Sequence, residues 1–145
     1  LSLKNKFVLG TAQFSGKYGI LKRYVHRTEI KKILNYVKKK KLFFLDTSIE
    51  YKNSDKKIGL IKSKKWRVIT KIKFNKKYYQ NKDVSSLKKI VIKKLNSTKK
   101  NIGINNFETL LVHNFEELDY NLKKKIYKTL ISIKNSKLIK KFGFS

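Results

Sequence analysis

The chain has 145 residues, 40% of them hydrophobic and 12% aromatic, enough for one ordinary domain with a sizeable core. It contains no Cys, which excludes a disulfide framework, a thiolate metal site and a cysteine nucleophile. The formal charge is +29, yet only Arg23, Arg27 and Arg67 among 38 basic residues are arginines, and arginine is the residue that reads guanine edges and stacks on bases.

The lysines are scattered along the whole chain, and the excess of Lys, Asn, Ile, Phe and Tyr with no Pro resembles the drift that an AT-rich genome imposes on exposed positions. No specific nucleic-acid partner is expected, only a non-specific attraction to polyanions that falls steeply with salt. No apolar stretch approaches the roughly 18 residues of a membrane-spanning helix, and the first residues lack the apolar segment of a secretory signal. The expectation is a soluble, cytoplasmic protein with no membrane partner and no metal site. The chain has no Met and stops at Gly143-Phe144-Ser145 as an apolar run ends, which reads as a segment of a longer protein. With no linker or compositional break, residues 1–145 are expected to form one domain or a piece of one.

In chain order, Phe7-Val8-Leu9-Gly10 predicts a first strand over residues 6–12, buried on both faces. Thr28 is a candidate N-cap for a helix over 28–40, in which Ile30, Ile33, Leu34 and Val37 recur at helical spacing. Phe43–Asp46 reads as the second strand, followed by a short helix capped by Ser54 and carrying Ile58 and Ile61. Arg67–Ile72 is the third strand. Val84, Leu87, Ile90, Val91 and Leu95 define the next helix, started by Asp83 or Ser85, and Thr109–His113 is the fourth strand. A long helix with Leu118, Leu122, Ile126, Leu130 and Ile133 inward precedes a fifth strand over Leu138–Phe144. Five strands thus alternate with four helices. The implied fold is α/β with a parallel sheet and right-handed crossovers, either an open doubly wound sheet or part of a (β/α)8 barrel, and both place their chemistry at the C-terminal ends of the strands.

Four polar residues stand at or just beyond such ends: Asp46, Tyr51, Lys71 and His113. Singly, each has a plainer explanation. A lone Tyr usually packs, Asp46 could cap the turn that follows it, and a strand-end His could be a satisfied core residue. Lys71, at the end of an apolar strand, needs a partner, and Asp46 could be that partner. His26, near Arg23, Tyr24 and Arg27, reads as surface and takes no role. Jointly the four make a carbonyl-protonating set. A phenol with an ordinary pKa near 10 is a poor acid at neutral pH, but a nearby ammonium favours its ionised form, a carboxylate holds that ammonium, and a His can hydrogen-bond a substrate oxygen.

The run Leu9-Gly10-Thr11-Ala12-Gln13-Phe14, then Phe44-Leu45-Asp46-Thr47-Ser48 to Tyr51, Ser54-Asp55 and Ile58-Gly59, resembles the aldo-keto reductase family. Ile69-Thr70-Lys71, Leu110-Leu111-Val112-His113 and Phe142-Gly143-Phe144-Ser145 are similar to its third-, fourth- and fifth-strand motifs, and the interval of five from Asp46 to Tyr51 is the family's own. The resemblance runs through the whole chain in order. It implies a (β/α)8 TIM barrel, here about its first five strands and four helices, and an oxidoreductase that reduces an aldehyde or ketone to an alcohol with NADPH, or less often NADH.

By that resemblance Tyr51 is the general acid, Lys71 and Asp46 tune it, and His113 orients the carbonyl or assists proton transfer. Ser145 matches a serine that holds the nicotinamide carboxamide, and Gln13 and Phe14 lie in the loop bordering the nicotinamide, with Asp46 also at the cofactor. Gln13 stands where the family commonly has Thr, and Asp55 where it often has Glu. The family's ring-stacking aromatic, much of its pyrophosphate contact and the basic residue that distinguishes NADPH from NADH belong to strands six to eight. The segment alone is therefore expected to be inactive. The opening motif followed by Tyr18-Gly19-Ile20 is similar to bacterial members found near surface-polysaccharide synthesis, which points to a sugar-derived carbonyl as the small-molecule substrate. Two other classes compete: a non-catalytic cofactor-binding or regulatory module, against which the intact set of four argues, and a basic nucleic-acid-associated protein, against which the scattered lysines argue.

Overall fold

Five parallel strands pair in the order in which they occur along the chain, β1 (Leu9–Gly10), β2 (Phe44–Asp46), β3 (Arg67–Ile72), β4 (Phe107–Val112) and β5 (Ile139–Phe144). This computed structural model describes residues 7–16 and 24–145. The sequential strand order settles the choice between the two α/β architectures. A doubly wound sheet reverses direction at a switch point, whereas the strands of a barrel succeed one another without reversal.

The helices are α1 (Arg27–Lys39), α2 (Ser54–Ile58), α3 (Lys76–Tyr79), α4 (Val84–Ile102) and α5 (Tyr120–Asn135), with 3-10 turns at Ala12–Ser15 and Phe115–Glu117. α4 starts at Asp83, whose carboxylate accepts from the Ser86 N–H at 2.7 Å, and ends at Gly103 in the left-handed region, the ordinary chemistry of a strong start and stop. α5 is capped in the same way by Asp119, which accepts from Leu122 N at 2.9 Å, so its first helical residue is Tyr120 and Leu118 lies just outside. α1 begins one residue before Thr28, with exposed His26 at the cap position and no side-chain capping bond. Ser54 is likewise the first residue of α2 and not its cap, which is Asn53 in the left-handed region. The four-residue α3, in the segment after β3, has no counterpart in the predicted elements.

Alternation along the central strands sorts the two faces of the sheet. Leu45, Val68, Thr70, Ile72, Leu110 and Val112 are 0% exposed and share the apolar core with Ile30 and Leu34 of α1, Leu87, Val91 and Leu95 of α4, and Leu122, Ile126 and Leu130 of α5. Their alternates Phe44, Asp46, Ile69, Lys71, Thr109 and Leu111 are only half-buried, so they occupy the face away from the helices. Phe7 and Val8 are 42% exposed: among the described residues β1 has a partner on one side only, and its pairing is confined to Leu9 and Gly10, shorter and less buried than the run predicts. Residue 6 of that predicted strand and Tyr18-Gly19-Ile20 lie outside the described residues.

α2 and α4 meet at a close backbone approach. A Cβ built on Gly59 would come 2.0 Å from the Asn101 carbonyl oxygen, so only glycine fits there. Beside it the Asn101 amide donates to Asp55 Oδ2 at 2.6 Å, which makes Asp55 a tie between helices.

Candidate active site

β2 and β3 run in register with Asp46 opposite Ile69, which places Lys71 two residues further toward the C-terminal end on the same face. The two side chains close that gap directly, with Lys71 Nζ 2.5 Å from Asp46 Oδ1. A second, longer bond runs from Nζ to the Thr47 carbonyl at 3.4 Å. The Lys71 side chain is 13% exposed and that of Asp46 is 35% exposed. An ammonium so enclosed at the end of an apolar strand requires a compensating carboxylate, and Asp46 is that partner.

Tyr51 lies in the turn between β2 and α2 and is half-buried. Its backbone is held at both ends, N–H to the Ser48 carbonyl at 3.1 Å and carbonyl from the Ser54 N–H at 3.0 Å. The same turn is stitched onto β3: Ile49 N and Ser48 Oγ both donate to the Lys71 carbonyl, at 3.0 and 3.2 Å. His113 follows β4 immediately, its N–H donating to the Ile72 carbonyl at 3.0 Å, and it is exposed. Tyr51, Lys71 and His113 thus come from the C-terminal ends of three neighbouring strands. Adjacent strands are spaced about 4.8 Å apart, so the ends of β2, β3 and β4 that carry these segments span about 10 Å. The ion pair is made directly by the side chains of Lys71 and Asp46.

The remaining site residues lie at the same end. Ser145 is exposed, and its N–H donates to the Val112 carbonyl at 3.0 Å, extending the β4–β5 ladder. Gln13 is exposed in the 3-10 turn after β1. Phe14, in the same turn, is 3% exposed with its ring in the core, and its carbonyl accepts from Lys57 Nζ at 2.6 Å. Phe14 therefore anchors the loop, and Gln13 is the one that offers a side chain at the rim. An exposed amide and an exposed hydroxyl at the end of the sheet that holds the ion pair are donors suited to the carboxamide of a nicotinamide.

Two features of the site carry no local signal in the sequence. Thr11, Thr47 and Ser54 form a fully buried hydroxyl cluster beneath the turn that bears Tyr51. Asn114, 8% exposed, clamps the segment after β3 to the end of β4: its Oδ1 accepts from Phe74 N and its Nδ2 donates to the Phe74 carbonyl, both at 3.0 Å. Beyond that clamp a cleft of about 890 Å³ opens between the segment after β3, α4 and the turn after β4. Its wall includes Glu50 and Asn114, the chain neighbours of Tyr51 and His113, so it flanks the polar patch without containing it.

No protein-family model and no curated protein matches the chain. Solved structures do. A Pseudomonas aeruginosa protein described as an aldo-keto reductase superposes with a TM-score of 0.69 at 20% identity, over 95% of this chain and 54% of its own. A holo aldo-keto reductase from Bacillus halodurans gives 0.64 at 14% identity, over 94% and 44%. The Bombyx mori aldo-keto reductase solved in complex with NADP gives 0.65 at 17% identity, over 94% and 45%. At these identities the likeness is one of fold. The chain has the α/β fold of the aldo-keto reductase barrel and spans about half the length of the structures it matches.

Proposed function

We propose that this chain is the N-terminal part of a nicotinamide-dependent oxidoreductase of the aldo-keto reductase type, residues 1–145 being a partial domain completed by three further β/α units. The observation that carries the reading is the Lys71–Asp46 ion pair, 2.5 Å long, at the C-terminal ends of β2 and β3 beside the turn that holds Tyr51. An ion pair half-enclosed at the C-terminal rim sits where barrels of this class keep their chemistry.

When bound, NADPH or NADH supplies the hydride that adds to the carbonyl carbon. This chain's residues handle the oxygen. Tyr51 gives its phenolic proton to the carbonyl oxygen as negative charge develops there, and the Lys71 ammonium stabilises the phenolate left behind. Asp46 holds that ammonium in place. His113 is exposed at the rim and donates a hydrogen bond to the same oxygen, orienting the carbonyl. Gln13 and Ser145, both exposed at this end of the sheet, would hold the carboxamide end of the cofactor. The substrate is a small aldehyde or ketone, and a sugar-derived carbonyl fits a polar rim of this kind.

The test is Tyr51→Phe in the intact protein, with reduction followed by loss of NAD(P)H absorbance. The account predicts a fall in kcat of two or more orders of magnitude, the usual scale of a lost general acid, with cofactor binding retained. An unchanged rate would remove Tyr51 as the acid. Residues 1–145 expressed alone are expected to be inactive, because β1 and β5 each offer an unpaired edge; reduction at the rate of the intact protein would refute that.

A further inference from the structure

The three buried hydroxyls beneath the Tyr51 turn have a direction. Thr11 Oγ1 lies 3.0 Å from the Asp46 carbonyl, and since a carbonyl only accepts, the single Thr11 proton is committed there. Ser54 Oγ lies 3.1 Å from Thr11 Oγ1 and 3.2 Å from the Thr11 carbonyl. Thr11 has no second proton to offer, so Ser54 donates to Thr11. The remaining contact, Thr47 Oγ1 to Ser54 Oγ at 3.3 Å, is then donated by Thr47. The result runs one way, Thr47 to Ser54 to Thr11, where the Ser54 proton is shared between the Thr11 hydroxyl and carbonyl oxygens, and the Thr11 hydroxyl in turn donates to the carbonyl of Asp46. All three residues are 0% exposed, so water does not compete for any link.

The chain ends on one particular peptide. The Asp46 carbonyl also accepts the Thr11 N–H at 2.9 Å, and the N–H on the other side of the same peptide, that of Thr47, donates to the Ile69 carbonyl at 2.9 Å. Three hydrogen bonds from two neighbouring strands fix the plane of the Asp46–Thr47 peptide. With it is fixed the direction in which the Asp46 side chain leaves the backbone, toward Lys71. Ser54 acts at the far end of the same turn, where its N–H holds the Tyr51 carbonyl. The hydroxyl chain therefore joins the backbone of Asp46 to the backbone of Tyr51 through the protein interior.

We propose that Thr11, Thr47 and Ser54 are positioning residues that hold Asp46 and Tyr51 in register with Lys71. They touch no substrate. This inference rests on the reading of Tyr51 as the acid, for which a misplacement of about 1 Å can cost about a hundredfold in rate.

The isosteric pair Thr→Val and Thr→Ser separates positioning from packing, since Val removes the hydroxyl at constant shape and Ser keeps it. In the intact protein labelled with [13Cζ]tyrosine, with the Tyr51 signal assigned by its loss in Tyr51→Phe, the phenol is titrated by NMR and reduction is measured in parallel. Thr47→Val and Thr11→Val are expected to move the Tyr51 chemical shift and titration midpoint and to lower kcat by about tenfold to a hundredfold with KM little changed. Thr47→Ser and Thr11→Ser are expected to restore both. Ser54→Ala is expected to follow the Val variants, but the Thr pairs carry the conclusion if it fails to fold. The proposal is overturned if the Val variants keep the Tyr51 titration and kcat of the parent, or if the Ser variants behave as the Val variants do. The NMR readout needs no activity. If Tyr51→Phe still reduces carbonyls while the Val variants move the Tyr51 signal, positioning stands and the acid assignment falls; if Tyr51→Phe is inactive while the Val variants leave the signal unmoved, the reverse holds.

Discussion

Glu108→Gln should destabilise the protein at neutral pH and lose most of that effect in acid. Glu108 lies at the N-terminal end of β4 with its side chain 9% exposed. Arg67 grips it with two bonds, Nη2 to Oε1 at 2.8 Å and Nε to Oε2 at 3.1 Å, and Lys140 Nζ adds a third at 3.0 Å. The Arg67 hydrogen bonds are the main cause that lowers its carboxyl from 4.5 to about 2, against a burial that opposes ionisation and with further help from Lys140. A depressed carboxyl stabilises the folded state above its unfolded pKa, and the contribution is lost as pH falls through the folded value. At about 1.36 kcal/mol for each pKa unit the full shift corresponds to about 3.4 kcal/mol. The two cations are 45% and 51% exposed, so solvent screening leaves about 1–2 kcal/mol. Glutamine keeps the shape and removes the charge. Unfolding free energies of the parent and Glu108→Gln from urea titration should therefore differ by about 1–2 kcal/mol at pH 7, the difference beginning to shrink near pH 4.5 and falling by more than half near pH 3. Equal stability at pH 7, or a difference that persists unchanged to pH 3, would refute the reasoning. Rates at the opposite end of the sheet should not change.

Two further substitutions test the packing. Gly59→Ala should cost about 2 kcal/mol or more, because its methyl meets the Asn101 carbonyl oxygen at 2.0 Å and α2 must move away from α4; a thermal midpoint equal to the parent's would contradict that approach. Thr70→Val should be neutral or stabilising by up to about 1 kcal/mol, since Thr70 Oγ1 is the one buried side-chain polar atom without a hydrogen bond among the described residues and its removal leaves no partner stranded. A clear loss of stability in urea would show that the hydroxyl is satisfied.

The strands were legible because runs such as Val68–Ile72 and Leu110–Val112 are packed on helices at every second position, and such runs are apolar enough to stand out from lysine-rich surroundings. Asp83 was legible as a cap because its carboxylate does what its position suggests. Thr28 and Ser54 were misleading for a shared reason: hydroxyl residues near a helix start look alike whether they cap the helix or turn inward, and Ser54 spends its hydroxyl on Thr11, 43 residues away. α3 went unseen because Lys76-Lys77-Tyr78-Tyr79 is too short to show a period. Strand order is a tertiary fact, so β/α alternation alone left a doubly wound sheet and a barrel equally open. Of the site, the pairing of Lys71 with Asp46 followed from the cost of enclosing a lone ammonium. The hydroxyl chain and the Asn114 clamp did not, because each joins loops that only the folded sheet brings together. Phe14 shows the same limit from the other side: it lies in the turn after β1 as the sequence suggests, but its ring points into the core and not to the rim.

Tyr51 is proposed to protonate the oxygen of a carbonyl whose carbon takes its hydride from NAD(P)H. The most direct measurement is deuterium transfer from NAD(P)H dideuterated at C4 of the nicotinamide to an aldehyde by the intact protein, read by mass spectrometry of the alcohol. The account predicts deuterium on the carbinol carbon, and at least a hundredfold less of it per unit time when Lys71→Met removes the ammonium that Asp46 holds. Cofactor binding with no deuterium in the alcohol from any of a broad set of aldehydes and sugar-derived carbonyls, or undiminished transfer by Lys71→Met, would contradict it.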